Sequence, residues 1–223
     1  MQIVFVLFPN LTQLDFTGPL QVLSRLPDAQ IHLAAETISP TPTDTVMTIN
    51  PTIGFDTCPQ ADILCVPGGF GVTEAMLSDA LIEFVKKQAV DARYVTSVCT
   101  GAFILGVAGL LKGKKATTHW AYHDYLALFG ATPEKSRVVR EGNLLTGGGV
   151  TAGIDFALTL AAEITGELHA QSIQLGIEYN PSPPFSAGSP GEAPRKVVSA
   201  MKDFYGDRAR EFEKVVRQVV DAG

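Results

Sequence analysis

Tyr94-Val95-Thr96-Ser97-Val98-Cys99-Thr100-Gly101-Ala102-Phe103-Ile104-Leu105-Gly106-Val107-Ala108-Gly109-Leu110-Leu111 sets a short apolar run against a longer, almost wholly apolar one with no polar linker between them. Tyr94 to Val98 has the length and continuity of a strand buried on both faces, and Gly101 to Leu111 reads as a helix too apolar to face water. Only Cys99 and Thr100 separate the two. The chain must therefore turn sharply from strand to helix at Cys99.

The same alternation continues outward in both directions. Ile3 to Leu7, Ile31 to Ala35 and Ile63 to Val66 read as further buried strands, and Gly18 to Leu26 and Ala80 to Val90 carry apolar residues at helical spacing. Strands alternating with helices predict an α/β fold, a mostly parallel sheet with helices on both faces. Beyond the central segment, Arg137 to Arg140 and Asn143 to Thr146 flank Glu141-Gly142 as a hairpin. Gly147-Gly148-Gly149 then leads into a helix from Thr151 to about Thr165, which Gly166 closes. The prolines of Asn180-Pro181-Ser182-Pro183-Pro184-Phe185-Ser186-Ala187-Gly188-Ser189-Pro190 forbid regular structure there. Ala193 to Val220 reads as a charged helix with Val197, Val198, Met201, Phe204 and Tyr205 as its apolar stripe. The expectation is one domain over residues 1–223, with 181–223 a loop and helical extension packed on it.

Composition narrows the function. The chain has 223 residues, 46% of them hydrophobic and 18% charged, which suits one substantial core. A net charge of -6 argues against a nucleic-acid partner, since phosphate-backbone binding needs clustered Lys and Arg. Met1-Gln2-Ile3-Val4-Phe5-Val6-Leu7-Phe8 lacks the basic start and small-residue cleavage site of a signal peptide, so it is read as a first strand and the protein as cytoplasmic. The longest apolar run, Gly101 to Leu111, falls well short of the roughly 20 residues that span a bilayer, so no membrane segment is expected. Cys58, Cys65 and Cys99 are an odd set without CxxC spacing, which predicts free thiols. His32, His119, His123 and His169 show no ligand spacing, and no metal is predicted.

Cys99 is the leading candidate for chemistry. The carboxyl end of a central parallel strand faces the crevice where ligands bind, and the following helix N-terminus offers N–H groups that lower a thiol's pKa from about 8.5. The alternative is an inert core thiol. That description fits Cys65, in the middle of its strand, and Cys58, in a loop before Pro59. Asp15, in Thr12-Gln13-Leu14-Asp15-Phe16-Thr17-Gly18-Pro19, lies between the first strand and the first helix. It reads either as a helix-capping carboxylate or as a proton carrier coupled to the thiol. Pro67-Gly68-Gly69-Phe70-Gly71 is either a plain turn or a set of bare N–H groups for a developing anion. Gly147 to Ala152 formally fits G-x-G-x-x-A, but it comes late and lacks the acidic partner of a dinucleotide site, so it is read as close packing beside Cys99. His119, in Ala116-Thr117-Thr118-His119-Trp120, is a capping or core histidine or else a base.

With those residues in place, the chain resembles the DJ-1/PfpI superfamily and, within it, the isonitrile (isocyanide) hydratases. The matching segments are Gln13 to Pro19, Pro67-Gly68-Gly69, Thr96 to Gly101, Lys115 to His123 and Gly142 to Leu158, and the likeness extends to the loop ending at Pro190. The resemblance implies a flavodoxin-like three-layer sandwich, a homodimer with its sites near the interface, a small-molecule isonitrile substrate and no cofactor. It makes Cys99 the nucleophile and Asp15 the general acid and base, with Thr100 beside them. It makes the backbone N–H groups of Gly69 and Thr100 an anion-stabilising pocket, and Gly68, Val150 and His119 are expected beside them as substrate- and anion-binding positions. Peptidase-like members resemble a pattern with His directly after the cysteine, and Thr100 departs from it. Two other functions compete. One is glyoxalase or deglycase chemistry, whose members resemble a pattern with Glu where Asp15 stands. The other is a ligand-sensing module like those fused to AraC-type DNA-binding regions, for which the chain after the core is short.

Overall fold

A computed structural model describes residues 1–222. Its main sheet has seven strands in the spatial order Val138–Glu141, Leu144–Gly147, Tyr94–Val98, Ile63–Val66, Gln2–Val6, Gln30–Ala35 and Ile53–Gly54. All neighbours are parallel except Val138–Glu141 and Leu144–Gly147, which form the antiparallel hairpin at one edge. Gly142 turns that hairpin at φ 63°.

The register explains why the candidate residues meet. Phe5 pairs with Cys65, Val66 with Ser97 and Val98 with Gly147, so these four neighbouring strands all end at one edge of the sheet. Each strand therefore delivers its next turn to the same place: Asp15 after the first, Gly68 after Val66, Cys99 after Val98, and Val150 after Gly147. This is the carboxyl edge at which open α/β sheets bind ligands.

Helices cover both faces of the sheet, as a two-sided apolar sheet requires. Gln13–Leu23 packs on Ala152–Thr165, which also packs on Glu167–Gly176, while Asp79–Asp91 and Gly101–Val107 pack together and on the strand Ile63–Val66. The strands Ile63–Val66 and Tyr94–Val98 are buried along their whole length. The helix after Cys99 is fully buried from Gly101 to Gly106 and ends at Val107, four residues short of the expected Leu111, where Gly109 adopts φ 77°.

Two expectations are corrected. The first helix begins at Gln13, not Gly18, so Asp15 lies inside its first turn rather than ahead of it. Pro19 sits within this helix, and its missing N–H withholds the usual bond to the Asp15 carbonyl one turn earlier. In the C-terminal helix Arg195–Ala222, the residues that bury are Phe212 and Val216, whereas Val197 and Phe204 of the expected stripe stay exposed. Phe212 is held because its ring meets those of Phe103, Tyr122 and Tyr125 at centroid distances of 4.8, 4.6 and 5.5 Å. The Pro-rich loop from Asn180 to Pro190 has no helix or strand. Among the described residues, no helix is long and apolar enough to cross a membrane.

Candidate active site

Cys99 turns the chain with φ 56°, in the left-handed region that a side chain enters at a cost of about 1–2 kcal/mol. Three hydrogen bonds hold it there. Its N–H donates to the carbonyls of Gly147 at 3.0 Å and Gly148 at 2.9 Å, and its own carbonyl accepts from Thr118 Oγ1 at 2.7 Å. Gly101 makes the turn possible, because a Cβ there would lie 2.3 Å from the Val66 carbonyl oxygen. The sulfur is buried, and the backbone N–H groups of Thr100 and Val150 and the Thr100 side chain favour its ionised form.

Asp15 is 1% exposed. Its Oδ2 accepts from the Gly68 N–H at 3.0 Å, and its Oδ1 is buried with no partner among the described residues. Burial lifts this carboxyl from 3.8 to about 7, against the lowering effects of the Gly68 N–H and the Cys99 thiol, with Asp44 adding a smaller upward push. A carboxyl at about 7 exchanges a proton readily at neutral pH. Gly68 is confined for the same reason that it is useful: a Cβ there would lie 2.5 Å from the Thr100 nitrogen and 2.9 Å from Asp15 Oδ2.

The thiol runs opposite to the expectation from its helix N-terminus. Burial and the negative field of Asp15 hold Cys99 well above its ordinary value, and the Thr100 and Val150 N–H groups offset only part of this. Burial also pushes Cys65 to about 12 and Cys58 to about 11, so acidity does not distinguish Cys99. Its distinction is geometric: an acid and two N–H donors converge on it.

The Gly69 N–H does not stand bare as the resemblance implied. It donates to Thr100 Oγ1 at 3.0 Å, and that hydroxyl in turn donates to the Gly69 carbonyl at 3.2 Å. The hydroxyl's single proton thus serves the Gly69 carbonyl or the sulfur, not both at once. The N–H groups left to meet charge at sulfur are those of Thr100 and Val150. Val150 sits at φ 33°, a rare conformation for a β-branched residue. The turn that holds it is tied to the hairpin by the Gly148 N–H bond to the Arg137 carbonyl at 2.9 Å.

His119 lines the same cavity as Cys99 and is kept neutral, because burial lowers it to about 4. It caps the following 3₁₀ segment Trp120–Phe129, its Nδ1 accepting from the Ala121 N–H at 3.3 Å, so the ring proton resides on Nε2. The cavity measures about 550 Å³. Asp44, Tyr122, Tyr205, Arg208 and Phe212 also line it, and sequence reasoning missed all of these as site residues. A signal existed for three of them, since Tyr205, Arg208 and Phe212 follow the three- and four-residue spacing of one helix face. The other two come from a loop and the 3₁₀ segment, where no periodicity points inward. No group of three or more His, Cys, Asp or Glu among the described residues is placed to hold a metal ion.

Comparison with known proteins fits this architecture. An isonitrile hydratase of Pseudomonas putida is 57% identical over 198 residues, covering 89% of this chain and 87% of the relative. A crystal structure of a ThiJ/PfpI family protein from Pseudomonas syringae superposes with a TM-score of 0.94 at 41% identity, covering 96% of this chain and 90% of that one. Drosophila melanogaster DJ-1beta shares the fold, with a TM-score of 0.71 at 22% identity over 79% of this chain and 97% of its own. The family described as DJ-1/PfpI matches residues 1–163, which hold the whole main sheet and every residue around the sulfur except those of the C-terminal helix. The chain belongs to the DJ-1/PfpI family.

Proposed function

We propose that this protein adds water to an isonitrile and releases an N-substituted formamide, with Cys99 as nucleophile and Asp15 as the proton carrier. The observation that carries the mechanism is the buried Asp15 carboxyl at about 7 beside the Cys99 thiol, with its Oδ1 free of any protein partner among the described residues. The similarity to the Pseudomonas putida isonitrile hydratase supports the substrate class.

The terminal carbon of an isonitrile accepts a soft sulfur nucleophile. As the S–C bond forms, the one proton held by the Asp15–Cys99 pair moves to that carbon, giving a thioimidate (R–N=CH–S) and leaving Asp15 as the carboxylate. Asp15 then takes a proton from water as the water oxygen attacks the same carbon. Passing that proton to nitrogen and expelling the sulfur yields R–NH–CHO, and the water's second proton returns to the pair. Cys99, Asp15 and water suffice for this sequence, with no cofactor. The Thr100 and Val150 N–H groups stabilise charge on the sulfur as it attacks and as it leaves.

The same proposal includes a homodimer. The segment carrying Thr43, Asp44 and Thr45 borders the cavity, and its neighbours Val46 and Met47 are exposed apolar residues. Light scattering should give twice the chain mass. The deciding experiment follows formamide formation by purified protein given an alkyl or aryl isonitrile, beside Cys99→Ala and Asp15→Asn. Turnover by the intact protein and its loss in both variants is the expected result. Binding without turnover would favour a sensor, and full activity in Cys99→Ala would overturn the covalent route.

A further inference from the structure

The walls of the cavity beyond the sulfur are chemically uneven. Phe70, His119, Tyr122, Tyr205 and Phe212 line it, against Val150 as its one branched aliphatic side chain. Three of the aromatic rings form a cluster, with Tyr205 lying 5.6 Å from His119 in an edge-on arrangement and 6.1 Å from Tyr122. On the same lining, the Arg208 guanidinium sits 4.0 Å from the centre of the Phe70 ring, which follows the Gly68–Gly69 turn. Arg208 makes no ion pair among the described residues and also lies 5.6 Å from the centre of the Phe204 ring, so two ring contacts orient it.

Tyr205 and Arg208 reach the cavity because they share a helix face with Phe212 and Val216, which are 4% and 0% exposed. Burying Phe212 on the core fixes the helix rotation and thereby brings Tyr205 and Arg208 to the cavity that Cys99 lines. This helix lies outside residues 1–163, the part matched by the family as a whole. The reacting groups thus come from the shared core, and much of the wall facing a substrate's far end comes from the extension.

We propose that this cavity selects isonitriles bearing a planar aromatic substituent, and that Tyr205 and Arg208 impose the selection. The inference rests on the hydratase proposal above and names its substrate class. A flat ring lodged between the His119–Tyr122–Tyr205 cluster and the Arg208–Phe70 lid meets ring edges, ring faces and a cation. A saturated ring of equal size gains only its burial. Asp44, Glu74 and Glu211 on the same lining disfavour anionic substituents.

The test compares phenyl isonitrile with cyclohexyl isonitrile, following formamide formation by the wild-type protein, Tyr205→Leu, Tyr205→Phe and Arg208→Ala. The quantity read is the change in the phenyl-to-cyclohexyl ratio of kcat/KM on mutation, in which the intrinsic reactivities of the two isonitriles cancel. Tyr205→Leu should lower that ratio about three- to tenfold, mainly through KM, while Tyr205→Phe keeps it. Arg208→Ala should lower it about two- to fivefold. Equal losses on both substrates, or none, would overturn the selection while leaving the hydratase proposal intact. Absence of turnover by the wild-type protein would instead overturn the hydratase proposal. Calorimetric Kd ratios for the two isonitriles in Cys99→Ala and Cys99→Ala/Tyr205→Leu then decide the selection by the same criterion.

Discussion

Asp15 and Cys99 act on each other's protons in opposite senses: the Asp15 carboxylate drives the Cys99 thiol upward, and the thiol draws the Asp15 carboxyl down from where burial alone would set it. The two therefore titrate as one pair. Below about 7 the pair holds two protons, and above it holds one until the raised thiol ionises. The one-proton state is the form that adds to an isonitrile. The logarithm of kcat/KM should rise with unit slope as pH increases towards 7 and then level. Asp15→Asn should lose turnover across the whole pH range, and activity that persisted in this variant with the limb unchanged would dissociate the limb from Asp15.

The same carboxyl sets a stability prediction of definite sign. Its folded pKa of about 7 lies above its ordinary 3.8, so the folded protein holds a proton that the unfolded chain has released between those values. Stability from this group therefore declines as pH rises from about 4 to 7 and stays reduced above that. Asp15→Asn removes the buried charge and should stabilise the protein by about 2–4 kcal/mol at pH ~8, with the difference vanishing near pH ~4. Urea denaturation of both proteins at the two pH values measures it.

Thr100 connects two strand ends through one hydroxyl, which accepts from the Gly69 N–H and donates to the Gly69 carbonyl. Thr100→Val keeps the shape and leaves that partly buried N–H without its partner, at a cost of about 1–3 kcal/mol. Thr100→Ser should retain most of the stability and the activity. If valine and serine variants unfold at the same denaturant concentration, the hydroxyl is not what joins the two turns.

Much of this arrangement is legible in the chain itself. The strands Gln2–Val6, Ile63–Val66, Tyr94–Val98 and Leu144–Gly147 are readable as short, mostly apolar runs, and their parallel pairing places Asp15, Gly68, Cys99 and Val150 at one edge, so the meeting of those residues follows from topology alone. The proton affinities were not legible. A helix N-terminus argues for an acidic thiol, but the depth at which Gly101 seats the turn against Val66 makes burial the larger effect. Nor was the use of the Gly69 N–H, because a hydroxyl 31 residues away in sequence claims it. The tail's rotation depended on Phe212, whose partners Phe103, Tyr122 and Tyr125 come from two other segments.

Gly101→Ala should be among the most damaging single changes. The new methyl would stand 2.3 Å from the Val66 carbonyl oxygen and 2.6 Å from that of Pro67, both backbone atoms of a central strand end. No side-chain rotation relieves such a contact, so the helix must shift away from the sheet. Destabilisation of about 3 kcal/mol or more is expected, with loss of activity even in the fraction that folds. A variant with unaltered thermal unfolding would show that the turn tolerates displacement.

Phe212→Ala separates the extension from the core. Removing a ring buried against Phe103, Tyr122 and Tyr125 ordinarily costs about 3–5 kcal/mol. Here the loss need not reach the sheet, because Phe212 and Val216 are the two buried residues of a 28-residue helix whose other side chains are half-buried or exposed. Local detachment of that helix costs less than global unfolding once its main anchor is gone. Hydrogen exchange should therefore show lost protection across Arg195–Ala222, while the amides of Tyr94–Val98 stay protected. Tyr205 and Arg208 would leave the cavity with the helix, so aryl selectivity should fall together with exchange protection, and the reaction at Cys99 with a small alkyl isonitrile should persist. Uniform loss of protection across helix and sheet would instead mean that the extension and the core fold as one cooperative unit.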